Sequence, residues 1–210
     1  RLKVADHYIV AGGRQLLPFF EHGVGLADAG RITENDLQMA GSICELIRRD
    51  AAYVARFRDA LERMVCDPST CVRSCVAGTL RAVAYHDAGF ALALFRRMET
   101  GGDERLFATV HVYGLIRSLL REHFDKLRPT VERMLRSGDA DVARTGARLV
   151  GLAALHHELA ADLAREAAAG SMPQRRGLAA VAAASIVVED CRIWCERQLA
   201  SFFNDTDEEV

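Results

Sequence analysis

Apolar residues recur along this chain at three- and four-residue spacing, the period of a helix face buried on a core. No stretch alternates strictly, as a half-buried strand would. The helical stretches come in pairs, and each pair is joined by a short polar turn. FRDALERMVCDPSTCVRSCVAGTLRAV turns at Cys66–Ser69, and FALALFRRMETGGDERLFATVHVYGLIRSLL at Thr100–Asp103. LRPTVERMLRSGDADVARTGARLVGLAAL turns at Ser137–Asp139, and LAADLAREAAAGSMPQRRGLAAVAAASIV at Gly170–Pro173. CRIWCERQLASFFNDTDEEV turns at Asn204–Thr206.

Asp67, Asp103, Asp139, Ser171 and Asp205 mark these turns and lie 36, 36, 32 and 34 residues apart. A recurrence of that length is the signature of a helical solenoid, in which each hairpin buries its stripe only by stacking on its neighbours. The pattern therefore predicts an all-α chain with a repeat array over 55–210. Residues 1–54 are less regular. HYIVAGGRQLLPFFEHG reads as one helix either broken near Gly12–Gly13 or ending near Gly23, VGLADAGRIT reads as a loop, and Thr33 with Asp36 caps a helix expected to end near Arg49. These residues are expected to begin the array or to link it to an upstream domain. At the other end, Asp207, Glu208 and Glu209 read as the acidic first turn of another helix. With Arg1 at the start, this predicts that the chain is part of a larger multidomain protein.

The turn sequences resemble HEAT repeats. DPSTCVRSCVAGTL carries the family's pattern at Asp67, Pro68, Val72, Arg73 and Ala77. GDADVARTGARLV carries it at Asp139, Val142, Arg144 and Ala147, with the arginine one place late. The second and fourth units lack the full motif. The resemblance covers about residues 55–210, some four and a half repeats, and implies a right-handed α-α superhelix of helical hairpins, an armadillo-like fold.

Composition narrows the function. Half the residues are apolar but only 7% are aromatic, so Ala, Leu and Val make up the apolar mass, as in tightly packed helices. The net charge of −2 creates no global attraction for nucleic acid or anionic lipid. The apolar run Gly177–Val188 is too short to span a bilayer, so no membrane partner is expected. The six cysteines lie within helical patterns of a chain without a signal peptide, which predicts reduced thiols and a cytoplasmic location.

Three groups could carry chemistry. Cys71 with Cys75, and Cys191 with Cys195, are spaced to share a helix face, but four repeats lie between the pairs. A four-ligand zinc site cannot bridge that, so core packing is expected of them. His86, His123 and His156/His157 are expected at the ends of second helices beside acids. This resembles the His–Glu ladder of deoxyhypusine hydroxylase, yet His157–Glu158 is the one proper pair, and no metal or other cofactor is expected. Arginines form the third group. Eleven basic residues face eight acidic ones between Arg96 and Arg148. Arg144, Arg148, Arg175 and Arg176 occupy comparable second-helix positions and are the candidate partner-binding residues. The bland alternative is a solvated surface with Asp–Arg ladders between repeats.

No glycine-rich phosphate loop followed by Lys–Ser/Thr and no G-x-S-x-G elbow occurs in the sequence. The segment is therefore expected to be a non-enzymatic scaffold or sensor that binds a protein. Its Ala- and Arg-rich units are similar to helical-repeat regions of large bacterial STAND-type ATPases, some of which act in phage defence. That likeness implies the regulatory arm of an NTPase. The alternative is a HEAT-like DNA-binding protein or alkylbase DNA glycosylase. One Trp, Trp194, and the net negative charge weigh against it.

Overall fold

The computed structural model describes residues 44–68, 70–100 and 102–202, with residue 71 described by its backbone alone. Every regular element among them is a helix. Most of the irregular N-terminal portion and the closing turn at 204–206 lie outside these residues. Packing divides the chain into two compact units, Arg1–Leu106 and Phe107–Val210.

In the first unit, residues 44–49 are helical and end where the Thr33/Asp36-capped helix was expected to end. Asp50 then accepts from the Ala52 N–H at 2.8 Å and starts α1, Ala52–Met64. Helices α2, Thr70–His86, and α3, Ala88–Glu99, follow. Their boundary is set by Asp87, whose carboxylate accepts from the Phe90 N–H at 2.8 Å. The core uses one stripe from each helix. Phe57, Leu61 and Met64 come from α1, Val72, Val76, Leu80 and Val83 from α2, and Leu94, Phe95 and Met98 from α3. Each fully buried aliphatic or aromatic side chain contributes about 1.5–3 kcal/mol of transfer free energy. A short 3-10 turn covers Glu104–Ala108.

The second unit contains α4, Val110–Leu135, α5, Ala140–Ala154, a 3-10 turn at Glu158–Ala160, α6, Ala161–Ala168, α7, Met172–Ser185, and α8, Glu189–Phe202. Helix α4 is two helical stretches joined at His123, whose φ of −133° and ψ of 29° break the helical path. His123 was expected to end a helix, and here a second stretch continues directly from it. Pro129 falls within that stretch, where it removes one backbone donor. The expected turn at Ser137–Asp139 is present. Asp139 caps α5 by accepting from the N–H groups of Asp141 and Val142 at 2.9 and 3.2 Å. The fourth turn is shorter than expected, because α7 already begins at Met172 and holds Pro173 in its first turn.

Glycines set the closeness of packing around α5. A Cβ at Gly146 would lie 2.5 Å from the Leu135 backbone nitrogen, so the end of α4 rests on a bare backbone. On another side of α5, Gly177 of α7 meets the Arg144 carbonyl and the Ala147 methyl. Further along, Gly151 meets Leu178 and Val181. Positions 144 and 151 thus pair with 177 and 178/181, so α5 and α7 run in the same direction, offset by about one unit. Helix α8 closes over α7 through Cys191 and Cys195, which pack with Ala182, Ile186, Trp194 and Leu199.

Candidate interaction surface

Side-chain hydrogen bonds between elements join residues 30 to 39 apart in sequence. In the first unit, the Thr70 hydroxyl donates to Asp103 at 2.6 Å, 33 residues away. Arg97 donates to the Glu62 carbonyl at 3.2 Å, 35 residues back, and pairs with the Glu62 carboxylate at 3.6 Å. In the second unit, Arg128 donates to Asp162 at 2.8 Å and to the Leu159 carbonyl at 2.9 Å. Arg136 forks onto both oxygens of Glu166 at 2.7 and 2.8 Å. Gln174 spans 39 residues to donate to the Leu135 carbonyl at 2.6 Å, while its Oε1 accepts from the Ser171 N–H.

Two histidines take part in the same pattern. His86 Nε2 lies 2.5 Å from the Ile47 carbonyl, and His157 Nε2 lies 3.2 Å from the Leu120 carbonyl. A carbonyl only accepts, so each ring nitrogen carries a proton and donates. His157 also stacks on Phe124 with 5.3 Å between ring centres. These rings tie the ends of α2 and α5 to the helical stretch at 44–49 and to α4. Among the described residues, no three His, Cys, Asp or Glu side chains converge as a metal site.

The ion pairs shift carboxylate chemistry. The Arg136 fork holds the Glu166 carboxyl below the ordinary range, and Glu166 raises the Arg136 guanidinium in return. The Thr70 hydroxyl and then the Arg105 N–H hold Asp103 low. Burial alone would raise Asp162, but the Leu163 N–H and the Arg128 guanidinium outweigh it.

Much of the arginine excess between Arg96 and Arg148 is engaged in this way. Arg96 pairs with Glu99, Arg105 with Asp103, Arg128 with Glu132 and Asp162, and Arg136 with Glu166. The four candidate arginines lie on two touching helices. Arg144 and Arg148 sit one turn apart on α5, and Arg175 and Arg176 lie in the first turns of α7. The contact between Gly177 and the Arg144 carbonyl brings these two stretches to the same level. Arg144 is half-exposed and pairs with Asp141 one turn earlier. Arg148 is exposed and pairs with no acid among the described residues. Arg175 and Arg176 are half-buried. Arg73, near the start of α2 after the Cys66–Ser69 turn, is only 2% exposed. The one-place delay at Arg144 turns its side chain about 100° round the helix and accounts for the difference.

The cysteines divide by location. Cys191 and Cys195 are buried, Cys44 and Cys75 are half-buried, and Cys66 is exposed in the turn after α1. Burial pushes the Cys195 and Cys44 thiols up. None of the described helices is long and apolar enough to cross a membrane. Comparison with protein-family models, with curated proteins and with solved structures gave no match.

Proposed function

We propose that the chain is a right-handed superhelix of HEAT-like hairpins that serves as an interaction or sensor scaffold, docking an acidic protein segment on Arg144, Arg148, Arg175 and Arg176. The observation that carries the solenoid reading is the separation of the long-range side-chain bonds. Thr70–Asp103, Arg97–Glu62, Arg128–Asp162, Arg136–Glu166, His157–Leu120, His86–Ile47 and Gln174–Leu135 span 30 to 39 residues. An array repeating every 32 to 36 residues puts neighbouring layers in contact at that separation.

Electrostatics supports the acidic partner. The first turn of α7 contains no acid and is followed by Arg175 and Arg176, so two cations stand beside the positive end of the helix dipole. Arg148 adds an exposed cation on the adjoining helix. A carboxylate-rich partner would complement the exposed Arg148 cation on this surface. The scaffold reading extends to the regulatory arm of a multidomain NTPase, in which partner binding would set the state of a separate nucleotide domain.

The test is titration of the chain with a poly-glutamate peptide at several salt concentrations. Reversing all four arginines to Glu is expected to weaken binding by at least about tenfold, and salt is expected to weaken the wild type in parallel. Unchanged affinity in the reversed variant would refute the assignment. Tighter binding to duplex DNA at low salt would favour the nucleic-acid alternative instead.

A further inference from the structure

Helix α8 returns along α7. Only residues 186–188 separate Ser185, the last residue of α7, from Glu189, the first of α8. Cys191 and Cys195 pack with Ala182, so α8 folds back over α7. Each helix contains 14 residues, a length of about 21 Å. Phe202, the buried last residue of α8, is thereby brought back toward the first turns of α7, where Arg175 and Arg176 stand. Residues 204–210 follow, outside the described residues, and their sequence holds Asp205, Asp207, Glu208 and Glu209. Three residues of extended chain reach about 10 Å, so these acids start within reach of the two arginines.

The ties between elements select the same pairing. Arg136 binds Glu166, 30 residues on, and Arg128 binds Asp162, 34 residues on. Those separations, counted from Arg175, run from Asp205 to Glu209, and from Arg176 they take in Asp207, Glu208 and Glu209. We propose that this acidic segment folds back on Arg175 and Arg176 and occupies the arginine surface from within the chain, as a built-in competitor of the acidic partner. The proposal rests on the reading of that surface as the docking site. Charge and tether together favour this occupant. Four carboxylates oppose Arg175, Arg176 and the exposed Arg148 on the adjoining helix. A segment joined to its site by so few residues acts at an effective concentration on the order of millimolar. An external acidic partner therefore binds only by displacing it, which sets a threshold for docking.

The test titrates poly-glutamate into the 210-residue chain and into the variant Asp205→Asn, Asp207→Asn, Glu208→Gln, Glu209→Gln. The neutralised variant is expected to bind at least about tenfold more tightly. Equal affinity in the two forms would overturn the proposal and leave the arginine surface standing. Binding by neither form would remove the docking reading, and the competition with it. A second readout needs no partner. Cleavage by a glutamate-specific protease after Glu208 and Glu209 is measured relative to the free peptide NDTDEEV. Arg175→Gln with Arg176→Gln is expected to speed this cleavage at least about fivefold, because the segment is released more often. Added salt is expected to speed it in the wild type. Unchanged cleavage in the folded double variant would overturn the proposal even where poly-glutamate binds the neutralised chain more tightly.

Discussion

Gly177 rests against the backbone carbonyl of Arg144, closer than any Cβ atom tolerates, and this contact sets the spacing of α5 and α7. Glycine inside a helix costs about 1 kcal/mol relative to alanine. A glycine-to-alanine change in mid-helix would ordinarily stabilise. Here packing dominates. Gly177→Ala and Gly146→Ala force backbone against a methyl group and are expected to destabilise by about 1–3 kcal/mol net. Gly138 has nothing within 4 Å of its missing Cβ, so Gly138→Ala is expected to be neutral or slightly stabilising. Urea unfolding of the three variants tests the contrast. Equal behaviour at all three positions would show that the close approach is not rigid.

The turns were legible because their chemistry is local. Asp139 followed by an apolar helix start signals a cap whatever surrounds it, whereas the cap at Asp87 was not anticipated. The close approaches at Gly146 and Gly177 were not legible, since a mid-helix glycine reads as a weakness until its neighbour is known. At His123 the helix end was legible, but not that a second helical stretch would continue directly from it. For the arginines, sequence counted the cations but could not assign their partners. Arg128 and Arg136 are held by acids 34 and 30 residues away, whereas Arg148 is not held by any acid among the described residues.

Asp139 accepts two backbone N–H groups at the start of α5, the helix packed between α4 and α7. Asp139→Ala leaves those donors to water and is expected to cost about 1 kcal/mol. Asp139→Asn keeps an acceptor oxygen and is expected to retain most of that stability. Chemical denaturation reads both. A loss as large in the asparagine variant as in the alanine variant would argue against capping.

His157 donates to the Leu120 carbonyl and stacks on Phe124. It ties the segment after α5 to α4. His157→Ala is expected to lower stability by about 1–2 kcal/mol, through the orphaned carbonyl and the lost ring contact. The same picture predicts that added zinc or iron(II) leaves the melting temperature of the wild type unchanged. A metal-induced rise that disappears in His157→Ala would make this histidine a ligand after all.

Thiol accessibility separates turn from core. Cys66 is exposed, whereas Cys195 is fully buried and its thiol is pushed up by that burial. Thiolate is the reactive form. Labelling of the native chain near pH 8 is therefore expected to modify Cys66 early, and Cys191 and Cys195 only as fast as α8 opens. Mass-spectrometric mapping over time gives the order. Early labelling of Cys195 would mean that α8 does not stay closed over α7.

The carboxylates of Glu166 and Asp103 predict an acid limb of known sign. Glu166 and Asp103 sit below the ordinary carboxylate range, held there by Arg136 and by the Thr70 hydroxyl. A carboxylate whose folded-state pKa is depressed stabilises the fold fully above its unfolded pKa, about 4. That contribution is lost as pH falls through the lower, folded value. Melting temperature is therefore expected to be flat from pH 7 to about 5 with respect to these groups, and to fall below about pH 4. Glu166→Gln cannot ionise, so it loses stability at neutral pH and has less to lose in acid. Thr70→Val acts on Asp103 in the same direction by removing the hydroxyl donor. The two melting curves should approach the wild type as pH approaches 3. Parallel curves, with the deficit at pH 7 undiminished at pH 3, would show that these ion pairs and hydrogen bonds do not set the acid stability.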